Sequence, residues 1–477
     1  MPYPHADACS CHGTARALSA LPATWGAQPH RGQPQARICR TVTTNDLRQP
    51  DREHLSATLR TLLPYLQNDT AISPTHGGRA AALERLAKIK PEAYERSRNY
   101  LSGDVTRLSA YLRHGVLTLA EVRDYALQHV ADPARAGKLV NEFAWRDYWQ
   151  RLYVELGEGI WQDREPYKTG FSAKNYAEQL PEDIAGRTTT LTCMDSFSDD
   201  LRTTGYLHNH ARLWFASYIV HWRRTRWQAG ARWFLEHLID GDPASNNLSW
   251  QWVASTFSSQ PYIFNRENLQ RYTNDTYCSC CPHATAGTCP FDQDYESLEQ
   301  TFFPQLHQRV DNNAAPTPSA PYVKPTVHDS RPNAQGKPLL WHHTDSLNPA
   351  AQQAVAHGNA PAVFVWDTGW LIPNHITLKR VQFLAECLAE MPGTIDLHVG
   401  EPAEQLLAAA QAAGADYILA QRTPDPRLNA TADQVSRTIP VVWYDTPAFV
   451  ESSRGFDLKR FSRYWKRAQF AAMQPTR

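Results

Sequence analysis

The stretch from residue 237 to residue 255, HLIDGDPASNNLSWQWVAS, concentrates side chains that could do chemistry. It holds two acids, two amides and two indoles, namely Asp240, Asp242, Asn246, Asn247, Trp250 and Trp252. Carboxylates accept hydrogen bonds, amides donate and accept them, and indoles offer flat apolar faces. Such a set suits a polar aromatic ring such as an isoalloxazine, which needs both acceptors and donors around its edge. A polar loop that caps a helix is the alternative interpretation.

A second candidate site is the cysteine-rich stretch YCSCCPHATAGTCPFD, residues 277 to 292. Cys278 and Cys281 form a CxxC pair, and Cys289 follows shortly after. Thiolates at this spacing can converge on a zinc ion or on an iron-sulfur cluster. The spacing alone does not choose between the two metals.

The elements that must position these side chains fall into two regions of different periodicity. From about residue 76 to 303, apolar residues recur at helical spacing, as in GRAAALERLAKI and AGARWFLEHLI. Later, short apolar runs such as AVFVW and YILA alternate with helical segments, which is typical of a parallel sheet flanked by helices. We predict a disordered leader over 1–50, a helical domain over 51–303, a linker over 304–336, and an α/β domain over 337–477 that ends in a basic helix.

Composition bounds the environment and the partners of the chain. Nine unevenly placed cysteines, and no apolar run long enough to span a bilayer, indicate a reducing cytosol in which clustered thiols bind metal. Lys plus Arg and Asp plus Glu both number 48, so any nucleic-acid binding must come from a local basic surface. The stretches HWRRTRW (221–227) and LKRFSRYWKR (458–467) are candidates for such a surface. We predict a cytoplasmic monomer that does not contact membranes.

The pattern DGD-x-A-x-NN-x-x-WQW resembles the flavin loop of the photolyase and cryptochrome family. The resemblance covers about residues 76 to 265 through further motifs in the same order, namely YERSRN, TRLSAYLRHG, EFAWRDYW and GYLHNHARLWFAS. It implies an all-α FAD-binding domain followed by an α/β Rossmann-like domain similar to the family's antenna domain. The family usually places the antenna domain first, so the order of the domains is permuted here.

The resemblance also implies roles for individual residues. It assigns FAD binding to Tyr94, Thr106, Arg107, Leu108, Ser109, Arg212, Asp240, Asp242 and Asn246. Residues 106–109 would hold the phosphates through hydroxyls and backbone amides, and Asn246 would lie at flavin N5. It assigns the catalytic positions around a DNA lesion to Glu142, Trp145, Asn209 and Trp252, and electron transfer to Trp250 and Trp227. For the outer end of that electron-transfer chain, Trp161, Tyr167 and Tyr176 are candidates.

The cysteine stretch resembles the cluster segment of the bacterial iron-sulfur photolyases. In that subfamily the fourth ligand stands sixteen residues before the position that Asn209 occupies here, and Cys193 stands there. The resemblance therefore implies a 4Fe-4S cluster on Cys193, Cys278, Cys281 and Cys289, with a structural zinc ion as the alternative.

Taken together, these resemblances imply a light-dependent lyase that splits cyclobutane pyrimidine dimers in UV-damaged DNA with an electron from reduced FAD. The iron-sulfur subfamily typically has two adjacent histidines beside the flavin and repairs (6-4) lesions, whereas this chain has His208 followed by Asn209. On a helix, His208 and His210 project about 100° to either side of Asn209, so we expect neither to replace it. A (6-4) photolyase and a cryptochrome-like photoreceptor without repair activity are the alternatives, and the antenna chromophore stays open.

Overall fold

The computed structural model describes residues 42–303, 336–355, 360–452 and 455–475. These ranges form a helical body and a sheet unit. The first part of the chain contains β1 (Val42–Thr43), α1 (Thr44–Leu47), α2 (Arg52–Leu62), α3 (Arg79–Leu86), α4 (Pro91–Ser97), α5 (Ser109–Arg113), α6 (Leu119–Gln128), α7 (Gly137–Leu156), α8 (Glu182–Gly186), α9 (Thr192–Thr204), α10 (Asn209–Ser217), α11 (Trp227–His237), α12 (Pro243–Ala254), α13 (Arg266–Thr273), α14 (Pro282–Thr285) and α15 (Tyr295–Phe302). The second part contains β2 (Pro338–His342), α16 (Pro349–Val355), β3 (Ala362–Asp367), α17 (Thr368–Leu371), α18 (Leu378–Ala389), β4 (Ile395–Gly400), α19 (Pro402–Ala413), β5 (Tyr417–Gln421), α20 (Pro426–Val435), β6 (Val441–Tyr444) and α21 (Phe461–Ala472).

The helices begin where the sequence supplies capping side chains. Asp51, Thr118 and Asn265 each accept a hydrogen bond from a backbone N–H in the first turn of α2, α6 and α13. Such caps satisfy donors that have no partner inside the helix. The helices predicted from GRAAALERLAKI and AGARWFLEHLI are confirmed as α3 and α11.

The sheet has the strand order β1-β4-β3-β2-β5-β6. Strands β2 to β6 are parallel, and their connections contain α16 to α20, so the predicted alternation of strands and helices is confirmed. All five residues of β2 and all five of β5 are buried, as expected of the central strands of a sheet covered on both faces. The order of the five parallel strands is the one found in doubly wound α/β sheets.

The predicted disordered leader is wrong for residues 42–50. Strand β1 pairs antiparallel with β4, and Thr43 caps α1 in a box with Asp46. Helix α1 packs against α18. A strand of two residues and a helix of four are too short to give a periodic signal, which is why the sequence did not reveal them. The remainder of the predicted leader, residues 1–41, lies outside the described residues, as do residues 304–335 of the predicted linker.

The helical body and the sheet unit are joined by buried polar contacts. The guanidinium of Arg113 lies 2.5 Å from the carboxylate of Asp345, and both side chains are at most 10% exposed. His114 bridges the two units, because its ring nitrogens lie 2.8 Å from Thr344 O and 3.0 Å from Ile239 O. Helix α2, which the sequence assigns to the helical domain, packs on α18 of the sheet unit, and Ser56 donates to Gln382 across 2.6 Å.

Helix α21 packs on α7 in the helical body, which corrects its predicted place in the α/β domain. The hydroxyl of Tyr464 donates to Asp147 across 2.6 Å, and that of Tyr148 donates to Leu458 O across 3.0 Å. Because α21 follows the strands of the sheet in the sequence, it was assigned to the α/β domain. Its apolar stripe, however, packs on α7. Among the described residues, no helix is both long and apolar enough to cross a membrane.

Candidate active site

A cavity of about 540 Å³ lies in the helical body, bounded mainly by α7, α10 and α12. This volume is in the usual range of cofactor and ligand pockets. Most of the side chains predicted to bind flavin, to contact a lesion or to carry electrons line it, namely Tyr94, Thr106, Ser109, Glu142, Trp145, Asn209, Arg212, Asp240, Asp242, Asn246, Trp250 and Trp252. Residues that lie far apart in the sequence thus share one concave surface.

An ion pair between Arg212 and Asp240 forms part of this wall. Arg212 Nη2 lies 3.0 and 2.9 Å from the two carboxylate oxygens, and its Nε donates to Leu207 O across 2.9 Å. Burial of Asp240 opposes its ionisation, but Arg212 and the hydroxyl of Ser109 stabilise the carboxylate and hold its pKa below the ordinary value. Asp240 is therefore a negatively charged acceptor at neutral pH.

The sheet unit supports the loop that carries Asp240. Arg380 of α18 donates from Nε to Leu238 O across 2.8 Å, and Arg113 donates to Gly241 O across 3.2 Å. A Cβ at Gly241 would lie 1.9 Å from the guanidinium of Arg380, so only glycine fits between the two acids of the DGD motif. The sheet unit thereby helps to fix the geometry of the cavity.

Asp242 begins α12 and is surrounded by donors. It accepts from Ala244 N at 3.1 Å, Ser245 Oγ at 2.7 Å and Gln150 Nε2 at 2.6 Å, and Arg146 lies 3.0 Å away. Pro243 in the first turn of α12 has no N–H to satisfy, which suits that position. Arg146 was not predicted as a site residue, although this residue belongs to the EFAWRDYW motif.

Asn246 lines the cavity, and its amide oxygen is the atom that can contact a ligand. Its Nδ2 donates to Ala231 O and to Asn247 Oδ1, both at 3.0 Å. An amide nitrogen has two hydrogens, so these bonds use both of them. Asn246 can therefore serve a ligand in this cavity as a hydrogen-bond acceptor.

Glu142 lies on α7 between two cations. Its Oε1 is 3.0 Å from Arg98 Nη1 and 2.8 Å from Lys138 Nζ, and all three side chains remain partly exposed. The positive charge beside Glu142 would attract a phosphate or another anion at the mouth of the cavity. Lys138 was not predicted as a site residue. The one indication of it in the sequence was its position four residues before Glu142 on a helix.

The two indoles predicted to flank a lesion are held by other aromatic rings. Trp145 is stacked on Phe461 of α21, with ring centroids 3.7 Å apart and planes 9° apart. Trp252 lies 5.6 Å from the ring of Tyr262. The contact with Phe461 was not predicted, because nothing in the sequence indicated that α21 returns to α7.

His210 of α10 borders the cavity beside Asn209, so whether it could replace Asn209 depends on its protonation state. Its Nδ1 lies 2.8 Å from Asn99 O, and its ring stacks on Trp214 at 4.3 Å. Burial lowers the pKa of His210, so the ring is neutral at pH 7 and a poor general acid. His208 does not line the cavity but caps α10, where its Nδ1 accepts from His210 N across 3.0 Å.

Three predicted residues do not face the cavity with their side chains. Arg107 is exposed with a φ of 54° and lies 5.0 Å above the ring of Tyr206. Leu108 belongs to the buried core. The roles predicted for residues 107 and 108 can therefore involve only their backbones. Trp227 is fully buried and is not part of the cavity wall.

Trp250, Trp227 and Trp161 lie in succession behind the cavity. Trp250 lines the cavity, and its ring packs so tightly on Gly230 that a Cβ there would lie 2.2 Å from it. Gly230 and Trp227 are three residues apart on α11, so they share a face of the helix. The rings of Trp227 and Trp161 are stacked with centroids 6.3 Å and planes 9° apart. Of the three candidates for the outer position, Trp161 is the one whose ring stacks on that of Trp227.

The four predicted cysteine ligands line one small pocket between α9 and the segment 278–291. Burial, and then the proximity of Cys278, Cys281 and Cys289, raises the pKa of Cys193 well above its ordinary value. In the described ranges, no group of three or more His, Cys, Asp and Glu side chains is arranged to hold a metal ion. The thiols are thus neighbours, but they do not form a compact site for one ion.

The part of the chain that forms the cavity is similar to known proteins. Residues 139–278 match the family model described as the FAD binding domain of DNA photolyase. The chain is similar to the deoxyribodipyrimidine photo-lyases of Streptomyces griseus, with 33% identity over 164 residues, and of Escherichia coli, with 30% over 256 residues. These alignments cover 34% and 50% of this chain, and 35% and 52% of the relatives. The chain thus spans about half, or less, of the length of the relatives it matches.

A solved archaeal photolyase from Sulfolobus tokodaii with two FAD molecules aligns with 50% of this chain and 58% of its own, at 22% identity and a TM-score of 0.39.

Proposed function

The chain belongs to the photolyase and cryptochrome superfamily, and from this premise we propose that it is a light-dependent DNA repair enzyme that splits cyclobutane pyrimidine dimers. The observation that carries the proposal is the single cavity that unites the Arg212–Asp240 pair and Asn246 with Glu142, Asn209 and two indoles. Illumination of the purified protein with an oligonucleotide that carries one dimer tests it. We expect repair in blue light and none in the dark.

The residues on the α10 and α12 side of the cavity suit FAD. Arg212, Asp240 and Asp242 offer charged donors and acceptors, and the Thr106 hydroxyl can donate to phosphate, whereas the Ser109 hydroxyl donates to Asp240. When bound and reduced, FAD supplies a group that absorbs light and gives up an electron. The free oxygen of Asn246 is an acceptor, so it would stabilise a protonated ring nitrogen and favour the reduced form of the cofactor.

Glu142 and Trp145 of α7, together with Asn209 of α10 and Trp252 of α12, suit a flipped-out pyrimidine pair. Trp145 and Trp252 offer apolar walls, while Glu142 and Asn209 can hydrogen-bond carbonyl and N–H groups of the bases. A dimer must leave the duplex to reach this depth, which costs a few kcal/mol and costs least for a damaged base pair. The enzyme thereby gains part of its selectivity from the weakened stacking of the lesion.

The same wall argues against repair of (6-4) lesions. That reaction moves a hydroxyl group and needs a general acid, whereas dimer splitting needs an electron and no net proton transfer. Asn209 and Leu213 cannot supply a proton, and the lowered pKa of His210 keeps it neutral. We therefore infer the cyclobutane dimer as the substrate.

We further infer that Trp250, Trp227 and Trp161 conduct an electron from the surface to the cavity. Trp161 is partly exposed, and Arg232 lies 5.0 Å above its ring. Replacing Trp161 by Phe is expected to slow photoreduction of the oxidised protein by about tenfold or more, because phenylalanine is far harder to oxidise than tryptophan. Flavin absorbance in blue light with an external reductant measures the effect.

The control for Trp161 is Trp222→Phe, which alters an indole packed on Phe264 and Phe302 away from this row. Chemically reduced Trp161→Phe protein should repair dimers as fast as the parent. Unchanged photoreduction in Trp161→Phe protein would place the outer end of the chain elsewhere.

We propose that Cys193, Cys278, Cys281 and Cys289 hold a 4Fe-4S cluster. The four thiols line one pocket, and four thiolates are the usual complement of a 4Fe-4S cluster. A tetrahedral zinc site would bring its sulfurs within about 4 Å of one another, since each Zn–S bond is about 2.3 Å. Such thiols persist in a reducing compartment, in agreement with a cytoplasmic enzyme.

We assign no antenna pigment to the sheet unit, although its strand order agrees with a Rossmann-like, antenna-like domain. At the carboxyl ends of its strands, Trp341, Trp366 and Trp370 border a pocket with room for only about 20 Å³. Arg427 closes this pocket by pairing with Asp367 across 2.6 Å. Such a space admits a water molecule or two, but no aromatic pigment.

A further inference from the structure

Helix α21 presents a basic and aromatic face to solvent. Arg463, Lys466, Arg467 and Phe470 are all exposed, and Phe470 is 80% exposed. Their spacing of three, four and seven residues places them on one face of the helix. The helix contains no acidic residue, whereas positive and negative side chains balance over the whole chain. Asp457 pairs with Arg463 across 3.0 Å at an exposed position, so Lys466 and Arg467 give this face, called here the α21 face, its net positive charge.

The opposite face of α21 is fixed to the helical body. Tyr464, Ala468 and Ala472 are buried against it, and Tyr464 donates to Asp147. The α21 face is thus presented by an anchored helix, which lowers the entropy that a binding partner must overcome.

A row of stacked rings connects α21 with the cavity. Trp145 of the cavity wall stacks on Phe461, and Phe461 stacks in turn on Trp465, with centroids 6.3 Å and planes 8° apart. Trp465 directly precedes Lys466, whose side chain projects about 100° further around the helix. Helix α21 thus contacts the cavity wall through the rings on its anchored side and carries the α21 face on its other side.

We propose that the α21 face binds the DNA strand beside the lesion, with Arg463, Lys466 and Arg467 at its phosphates and Phe470 against an unpaired base. Positive charge interleaved with exposed rings is the arrangement that binds single-stranded nucleic acid with little sequence preference. The inference rests on the proposed function, because it takes damaged DNA as the ligand of the cavity.

A membrane surface fits the α21 face less well than DNA does. A helix that lies in a bilayer interface needs a broad apolar face, and the apolar stripe of α21 is buried against α7. Only Phe470 remains as an exposed large apolar side chain on this helix.

The test compares two double variants of the full-length flavin-containing protein. Lys466→Glu/Arg467→Glu reverses two charges on the α21 face, and the matched control Lys337→Glu/Arg437→Glu reverses two exposed charges on the sheet unit. Binding to a single-stranded oligonucleotide with one cyclobutane dimer is measured by fluorescence anisotropy at several salt concentrations. We expect the first variant to bind about tenfold more weakly or worse at low salt, and its salt slope to fall by about 1.4. The control variant should bind the oligonucleotide as tightly as the parent protein. Both variants should contain as much flavin as the parent protein.

Phe470 provides a second test. Phe470→Ala should weaken binding of the same oligonucleotide by about fivefold or more, and Phe470→Leu should weaken it nearly as much, since leucine cannot stack on a base. A leucine that restores full affinity would overturn the stacking role.

The outcomes separate this inference from the proposed function. Parent protein that binds and repairs the dimer, with the Lys466/Arg467 variant equal to it in affinity and salt slope, overturns the inference alone. Parent protein with no affinity for the dimer oligonucleotide overturns both. Variants that lose binding to anionic phospholipid vesicles, or lose self-association, while keeping DNA affinity would assign the α21 face to those partners instead.

Discussion

Alanine in place of Asp240 is expected to leave the protein nearly free of flavin. The change removes the carboxylate that lies 2.9 to 3.0 Å from Arg212 and also accepts from Ser109. Loss of one partner from a fully buried ion pair costs about 3–5 kcal/mol, and the partial exposure of Arg212 lowers that figure to about 2–3 kcal/mol. This cost falls on the stability of the cavity wall, and we expect the displaced wall and the lost acceptor to lower flavin affinity by about tenfold or more.

Flavin content per chain, read from the ratio of absorbance at 450 nm to that at 280 nm after gel filtration, measures this effect. Asp183→Ala is the matched control, because it removes a carboxylate 2.8 Å from Arg223 at a partly exposed position away from the cavity. Asp183→Ala protein should retain its flavin. Full flavin occupancy in Asp240→Ala protein would show that the cavity does not bind the cofactor through this pair.

Serine in place of Cys193 is expected to remove most of the iron from the purified protein. Cys193 lies on α9, whereas the other three thiols come from the segment 278–289, so it supplies the link between two parts of the helical body. A 4Fe-4S centre is usually held by four thiolates, and an alcohol is a much weaker ligand. Iron and acid-labile sulfide should fall from about four per chain to less than about one.

Cys280→Ser is the matched control for that experiment. Cys280 stands between two of the predicted ligands in the sequence, but it does not line the pocket, and its Sγ lies 3.5 Å from Tyr277 O. This variant should keep its full iron content. Zinc without acid-labile sulfide in the parent protein would replace the cluster by a structural zinc ion.

The sequence allowed the local elements of the fold to be predicted better than their arrangement. Strands β2 to β6 were recognisable because their apolar runs are continuous and bounded by polar turns. Strand β1 and the position of α21 were not recognisable, because both depend on partners more than 300 residues away, Leu397 in β4 and Asp147 in α7. Short elements and long-range docking leave no periodic signal in a sequence.

In the candidate site, too, side-chain chemistry was easier to predict from the sequence than long-range contacts. Asp240, Arg212 and Asn246, which were singled out by the chemistry of their side chains, lie on one cavity wall, and their roles toward FAD stay predictions. Phe461 was missed because its role arises only from the return of the chain to Trp145. The expectation that neither His208 nor His210 replaces Asn209 stays a prediction, although His210 borders the cavity.

The measurement that tests the central claim most directly uses two oligonucleotides, one with a single cyclobutane dimer and one with a single (6-4) adduct. The protein is reduced chemically under anaerobic conditions, mixed with each oligonucleotide, and either illuminated with blue light or kept dark. Chromatography of the products then counts repaired strands. We predict repair of the dimer in light, none in the dark, and no repair of the (6-4) adduct. Efficient repair of the (6-4) adduct without dimer repair, or binding of flavin with no repair of either lesion, would contradict the account.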